Sequence, residues 1–363
     1  MYFNYYSPNV GWADGGHNAV GVTPYHDPGQ FVWWFAEGWT GSGFAELITV
    51  QNPKDLAAYL TFTYFRDNGQ PPIVINESVN GLSRRTFDVR GHVSANQAVS
   101  LKLQSDRWVN VERPMYFNYY GATTGWADGG HNAVGAVTAE YSWYFAEGTT
   151  RPGFDQYLTI QNPGNAGPNN PSNLVAAVEV TYRTASGGQF GPYTFYVQPK
   201  RRITLAPRDQ IGWDQDFATE IKSSLPIVAE RPMYFTYGAG GWKGGHVVMG
   251  LPKPEYRFYF AEGWTGSGFD EFVALFNTHS SAYAFVTMQY MFPDGGVTTR
   301  YVYIAPKTRQ TINVNAEVEA NQAVSIKVTS DMPIIAERMM YFNYYSPVVG
   351  WADGGHVAVG YSP

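Results

Sequence analysis

Residues 115–120 read Met-Tyr-Phe-Asn-Tyr-Tyr, and residues 125–131 read Gly-Trp-Ala-Asp-Gly-Gly-His. Rings occupy both parities of the first run, and successive strand residues point to opposite faces, so this strand needs cover on both sides. Tyr, Phe and Trp favour strands, because flat rings pack on a pleated surface but lose rotamer freedom against a helical turn. In the second run Asp-Gly-Gly reads as a turn, with the histidine placed to bond backbone at the start of a returning strand. The two runs together predict an aromatic hairpin.

The same pair begins at Met1, Met233 and Met340, with Lys243 standing where the other copies have Asp14, Asp128 and Asp353. The intervals between copies share a second block, Phe35-Ala36-Glu37-Gly38, Phe145-Ala146-Glu147-Gly148 and Phe260-Ala261-Glu262-Gly263. Asn52-Pro53 and Asn162-Pro163 follow, with Asn277-Thr278 as a loose third, and Glu112-Arg113, Glu230-Arg231 and Glu337-Arg338 precede the internal hairpins. Successive hairpin methionines are 114, 118 and 107 residues apart. That spacing lies far outside the roughly 20–50 residue periods of solenoids and propellers. Each unit is long enough for its own core.

Short alternating runs such as Tyr59-Leu60-Thr61-Phe62-Thr63-Tyr64, broken by clusters such as Asp67-Asn68-Gly69 and Asp294-Gly295-Gly296, predict an all-β chain. The expected organisation is three tandem antiparallel β-sandwiches of immunoglobulin-like size over 24–137, 138–250 and 251–363, plus an unpaired hairpin segment over 1–23. The best helical candidate is 214–223. Pro24, Pro28, Pro252 and Pro254 make the junctions at 22–31 and 251–258 stiff spacers, as is that at 137–143, which predicts a semi-rigid rod. Residues 163–172 read as a surface loop.

Composition narrows the function classes. The 363 residues carry 24 Lys+Arg against 30 Asp+Glu, and this acidic balance argues against a nucleic-acid partner. Charged residues are 15% of the chain and aromatics 17%, the reverse of a disordered sequence. With no cysteine, disulfides, thiolate zinc sites and cysteine nucleophiles are excluded. No apolar run reaches the ~20 residues of a membrane span, and no signal peptide opens the chain.

Four hairpins against three bodies leave one hairpin over. If a hairpin completes the body before it, the surplus is 1–23; if it completes the body after it, the surplus is 340–363. Either an adjoining repeat lies beyond the sequence, with Met1 as a motif residue rather than an initiator, or the surplus hairpin docks on the next molecule by strand addition, an open head-to-tail contact that builds a filament. The assembly residues expected on this reading are Met1, Tyr2, Phe3, Tyr5, Tyr6, Trp12 and His17 at one end, and Met340, Tyr341, Phe342, Tyr344, Tyr345, Trp351 and His356 at the other.

The joint pattern of Phe-Ala-Glu-Gly, Asn-Pro, Ala-Glu-Arg-x-Met-Tyr-Phe (229–235 and 336–342) and Gly-Gly-His resembles an uncharacterised repeat of large secreted and surface proteins of Gram-positive and filamentous environmental bacteria. The resemblance implies an extracellular β-rich module and brings no catalytic residues with it.

The candidate chemistry is structural. Asp and His three residues apart, as at Asp14/His17, Asp128/His131 and Asp353/His356, are an incomplete shell for any usual metal, and Lys243 breaks the set. Neither a metal nor a cofactor is expected. Pairing Glu37 with Arg113, Glu147 with Arg231 and Glu262 with Arg338 would relieve a buried-charge penalty. A glycosidase reading would draw on Glu46, Asp155, Asp270 and Glu271, but a threefold-repeated enzyme is disfavoured and no catalysis is expected. A Lys–Asn isopeptide from Lys102, Lys222 or Lys327 with Asn52, Asn162 or Asn277 is disfavoured because strand alternation turns Ser100 and Lys102 outward. The expected function is therefore a structural unit of an extracellular filament, sheath or surface layer whose partners are copies of itself. The alternative is an adhesin that binds surface polysaccharide through Trp12, Trp39, Trp126, Trp264 and Trp351.

Overall fold

The structure, a computed structural model, describes residues 1–19, 31–164, 174–348 and 350–362. The protein is all-β, built of antiparallel sheets, and the helical turns among the described residues are Val89–Val93, Pro207–Ile211 and the 3-10 turn Val314–Ala316. The junction expected over 22–31, except Phe31, and the loop expected over 163–172, except Pro163 and Gly164, lie outside the described residues.

In the first body two four-stranded sheets face each other. One runs in the order 125–134, 110–121, 44–52, 83–88, and the other 31–35, 99–105, 58–66, 73–79. Along Ala58–Arg66 the residues Ala58, Leu60, Phe62 and Tyr64 are buried, as period-two alternation requires, and they meet Ile48, Val50, Trp33 and Phe35 in one core. Side chains such as Leu60, Phe62, Ile48 and Val50 each contribute about 1.5–3 kcal/mol by leaving water.

In each of the other two bodies, an eight-stranded and a seven-stranded sheet, one long strand joins two sets of partners. Phe217–Tyr237 pairs first with Ala176–Thr184 and then with Leu158–Asn162, and Ser325–Ser346 pairs first with Ala284–Met291 and then with Phe269–Asn277. The helix expected over 214–223 is thus the start of a strand. Its backbone is bonded on both sides, to 176–184 and to 140–145, and this pairing overrides the local pattern.

Each long strand runs straight into a hairpin, closed by Trp242–Met249 and by Gly350–Val359, just as Asn110–Gly121 is closed by Gly125–Val134. The hairpins therefore extend the sheets that precede them. Tyr2–Ser7 pairs, among the described residues, with Gly11–Gly16 alone, so the surplus hairpin is the first.

The turn is not where Asp-Gly-Gly suggested. The chain reverses at 121–125, and Asp128-Gly129-Gly130 lie within the returning strand opposite Asn118, Phe117 and Tyr116. Gly129, at φ +156°, has a backbone that favours glycine.

The bodies do not form a rod. The core of the second body continues into Trp34, Ala36 and Phe65 of the first and into Phe276, Ile335 and Tyr341 of the third. The segments after the hairpins fold back along the opening strands, with Trp34 and Ala136, Tyr144 and Leu251, and Tyr259 and Tyr361 exchanging paired backbone hydrogen bonds. Of the spacers expected to be stiff, the described ones are in part strand: 140–143 pairs with 221–227, and 255–258 pairs with 328–334.

Candidate functional site

The four hairpins close into a ring. The returning strand of the first packs on those of the second and fourth, and that of the third does the same from the opposite side. What lets them approach is the Gly-Gly pair. A methyl group on Gly130 would stand 2.7 Å from Phe3 Cζ, one on Gly245 2.8 Å from Phe117 Cζ, one on Gly355 2.9 Å from Phe235 Cζ, and one on Gly16 2.9 Å from Phe342 Cζ. Each phenylalanine seats on the next hairpin's glycines, first to second, second to third, third to fourth and fourth to first.

The rings repeat the same geometry at every link. Phe3 meets Tyr116 at 5.2 Å and 84°, Phe117 meets Tyr234 at 5.0 Å and 84°, Phe235 meets Tyr341 at 5.0 Å and 84°, and Phe342 meets Tyr2 at 5.1 Å and 88°. Beside each edge-to-face pair lies a stack: Tyr5 on Tyr116, Tyr119 on Tyr234, Tyr237 on Tyr341 and Tyr344 on Tyr2, with centroids 3.9–4.3 Å apart. Aromatic pairs of this kind are worth about 0.5–1.5 kcal/mol beyond area burial. Both faces of the aromatic strand are covered as its composition required, but by the chain itself. The first hairpin therefore finds ring partners within its own chain, in Phe342, Tyr344 and Tyr116.

Since every link has the same sense, all four turns lie at one end of the ring. Just inside that end, the backbone N–H of Asp14 donates to Asp128, that of Asp353 to Asp14 and that of Lys243 to Asp353. Burial, then the Asp353 and Asp128 charges, push the Asp14 carboxyl up to about 7, and burial likewise raises Asp353. Lys243 breaks the carboxylate circle. Outside it stand tilted ring pairs, Tyr6 with Trp12, Tyr120 with Trp126 and Tyr345 with Trp351, each 5.2 Å apart. Trp12, Trp126 and Trp351 are 69%, 60% and 65% exposed. Trp242 on the third hairpin, Trp39 and the Trp264 of the third body are less open.

The other end is buried and charged. His131, His246 and His356 are held well below the ordinary imidazole value by burial and then by the arginine beside each, and burial brings His17 down to about 4. Arg113 contacts Glu37 at 3.0 Å, Arg231 contacts Glu147 at 2.5 Å and Arg338 contacts Glu262 at 3.0 Å. Two of these arginines hold a second carboxylate that sequence reasoning missed: Arg113 reaches Glu230 of the next body at 2.8 Å, and Arg231 reaches Glu337 at 2.7 Å. The Glu-Arg pairs were the available signal, since Glu230-Arg231 and Glu337-Arg338 each supply an arginine to their own body and a glutamate to the preceding one, whereas Glu112 accepts from Asn132.

The remaining candidates sit apart from such chemistry. Burial pushes Glu46 up to about 8 and Glu271 up to about 7, and both face a hairpin methionine, as does Gln156, their amide counterpart in the second body. A neutral group suits that place. Asp155 is tied to Arg208 and Thr123, and Asp270 accepts from Tyr237. Asn52 spends its amide on the carbonyls of Leu56, Val79 and Asn80, as Asn162 and Asn277 do on theirs, the role of a buried turn-fixing amide. Ser100, expected to face outward, is buried, and Lys102 lies half-buried over Trp34 at 5.2 Å. No group of three or more metal-ligating side chains occurs among the described residues.

No family model and no curated protein matches the sequence. Among solved structures, Thermotoga maritima 1070 is 15% identical over 30% of this chain and 96% of its own, with a TM-score of 0.26. The Anabaena sensory rhodopsin transducer is 28% identical over 26% and 97%, at 0.22, and a 1.5-MDa bacterial ice-binding adhesin is 9% identical over 92% and 98%, at 0.13. At these scores the geometry alone carries the functional argument.

Proposed function

We propose that this chain is a cell-surface scaffold of the adhesive kind, in which the hairpin ring clamps the β-sandwiches and presents an aromatic platform to polysaccharide. The observation that carries it is the exposure of Trp12, Trp126 and Trp351, each braced by a tyrosine, at one end of the ring. Elsewhere in the ring the aromatics are spent on packing. Three large rings left in water in equivalent places form a surface patch of the sort that marks an interaction site, and indole faces suit the apolar faces of sugar rings.

The filament, sheath or surface-layer reading has the rings of the first hairpin covered by another molecule. Tyr2, Phe3 and Tyr5 already have partners in Phe342, Tyr344 and Tyr116, which favours the adhesive reading. We read the chain as non-catalytic, with Glu46 and Gln156 interchangeable as neutral core groups. No helix among the described residues is long and apolar enough to cross a membrane.

The test is a titration of the full chain with soluble neutral, acidic and N-acetylated polysaccharides, followed by tryptophan fluorescence and co-sedimentation. At least one class should shift the emission, and a chain carrying Trp12→Ala, Trp126→Ala and Trp351→Ala should lose the response while melting unchanged. If no class binds, or the triple variant binds as well as its parent, the adhesive reading is wrong.

A further inference from the structure

We infer that the corner between the fourth and first hairpins is a binding site for a glutamate carboxylate carried on a β-strand, and that its occupant is a fourth sandwich of this repeat type. The two complete corners show what the site does. The Glu230 carboxylate accepts from Arg113 Nη1 at 2.8 Å and from the backbone N–H groups of Ala36 and Glu37 at 3.3 and 3.4 Å. The Glu337 carboxylate accepts from Arg231 Nη1 at 2.7 Å and from the Ala146 N–H at 2.8 Å. Both glutamates lie three residues before a hairpin methionine, in the body that follows the arginine.

At the third corner the receiving groups are present without a second carboxylate among the described residues. Arg338 is 1% exposed, yet its Nη1 has no hydrogen-bond partner among the described residues. Its other contact, Glu262, has a side chain 51% exposed where Glu37 and Glu147 are 6% exposed. Ala261 and Glu262 are open to solvent, although their counterparts Ala36, Glu37, Ala146 and Glu147 are buried. Leaving a guanidinium donor buried and unmade is costly, and a carboxylate would return a charge-assisted bond.

The sense of the ring names the occupant. The missing carboxylate belongs three positions before Met1, on a strand continuous with Tyr2–Ser7. That strand also lacks what its counterparts have. Phe117, Phe235 and Phe342 pair across the sheet with Phe44, Phe154 and Phe269, and among the described residues no strand pairs with Phe3 on that side. A fourth sandwich would place a phenylalanine opposite Phe3, a small or acidic residue opposite Tyr2 and a Glu or Gln opposite Met1. It would complete an interface already built three times.

The experiment extends the full chain upstream of Met1 by Ala-Glu-Arg-Pro, the sequence of 229–232, and compares it with an Ala-Gln-Arg-Pro extension. The glutamate form should slow amide exchange at Ala261 and Glu262 by about tenfold relative to the glutamine form, and Arg338→Gln should erase the difference. A second chain, carrying a further copy of residues 24–114 before Met1, should stay monomeric and also protect the Tyr2–Ser7 amides. Equal exchange in the two short extensions overturns the carboxylate site, and does so even if Arg338→Gln fails to fold. If the added sandwich leaves the Tyr2–Ser7 amides unprotected, or the unextended chain forms a dimer that Arg338→Gln dissolves, the fourth-sandwich occupant is wrong.

Discussion

Tyr2 and Phe342, near opposite ends of the chain, meet edge to face at 5.1 Å with their planes 88° apart. The contact copies those of Phe3 with Tyr116, Phe117 with Tyr234 and Phe235 with Tyr341, so it closes a circle instead of extending a row. A heterologous contact repeated in one sense either closes or runs on as a filament. Here it closes after four steps, and the outcome for the whole molecule follows from that count.

The closing link should be sensitive to bulk on its glycine. Gly16→Val puts side-chain atoms where a single methyl already stands 2.9 Å from Phe342 Cζ and Tyr2 Cδ1 and 3.0 Å from the Met1 carbonyl. Overpacking of this kind costs about 1–3 kcal/mol. Hydrogen exchange should accelerate at Tyr2–Gly16 while the sandwich cores stay protected; Gly91→Ala, with nothing within 4 Å, should change neither.

The arginines should rank by how many carboxylates they satisfy. Arg231→Met strands Glu147 and Glu337 in a buried site and should cost about 3–5 kcal/mol by urea unfolding. Arg338→Met strands one carboxylate that is already half in water, and should cost clearly less.

Acidity should tighten the turn end of the ring. The Asp14 pKa is raised from 3.8 to about 7 in the folded chain, so its contribution is full below pH 3.8 and is lost as pH rises through 7. His17 works the other way: lowered from 6.5 to about 4, it contributes above pH 6.5 and loses that as pH falls toward 4. The two effects oppose each other between about pH 4 and 6.5 and leave a fall from 6.5 to about 7, so by melting Asp14→Asn should uncover a rise with pH over the lower interval and His17→Gln a fall over the same interval.

The all-β class was legible because it rests on local alternation, and so were the within-body partners of Arg113, Arg231 and Arg338, since each unit repeats one glutamate and one arginine. Closure was not legible. Two aromatic faces on Tyr2–Tyr6 say that cover is needed, but a repeat aligned with itself cannot say whether the cover comes from the same chain. Gly15-Gly16 and its three copies were read as turn residues, because Asp-Gly-Gly has turn chemistry; their use is a close approach between hairpins, set by Phe3, Phe117, Phe235 and Phe342 from elsewhere in the chain. The segment 214–223 failed for a similar reason, since pairing with 176–184 and 140–145 decides its backbone.

Ring closure is the claim on which the rest depends, and the absence of native cysteine makes it directly measurable. Spin labels at Tyr6→Cys and Tyr345→Cys, exposed positions on the first and fourth hairpin tips, should report a distance of about 20–30 Å, set by ~10 Å face-to-face packing of neighbouring hairpins and the length of the labels. That distance should persist when labelled chain is diluted into excess unlabelled chain. Three sandwiches end to end, each about 35 Å long at the usual strand rise, would put the tips about 100 Å apart. A long distance, or a short one that disappears on dilution, would contradict closure within the chain.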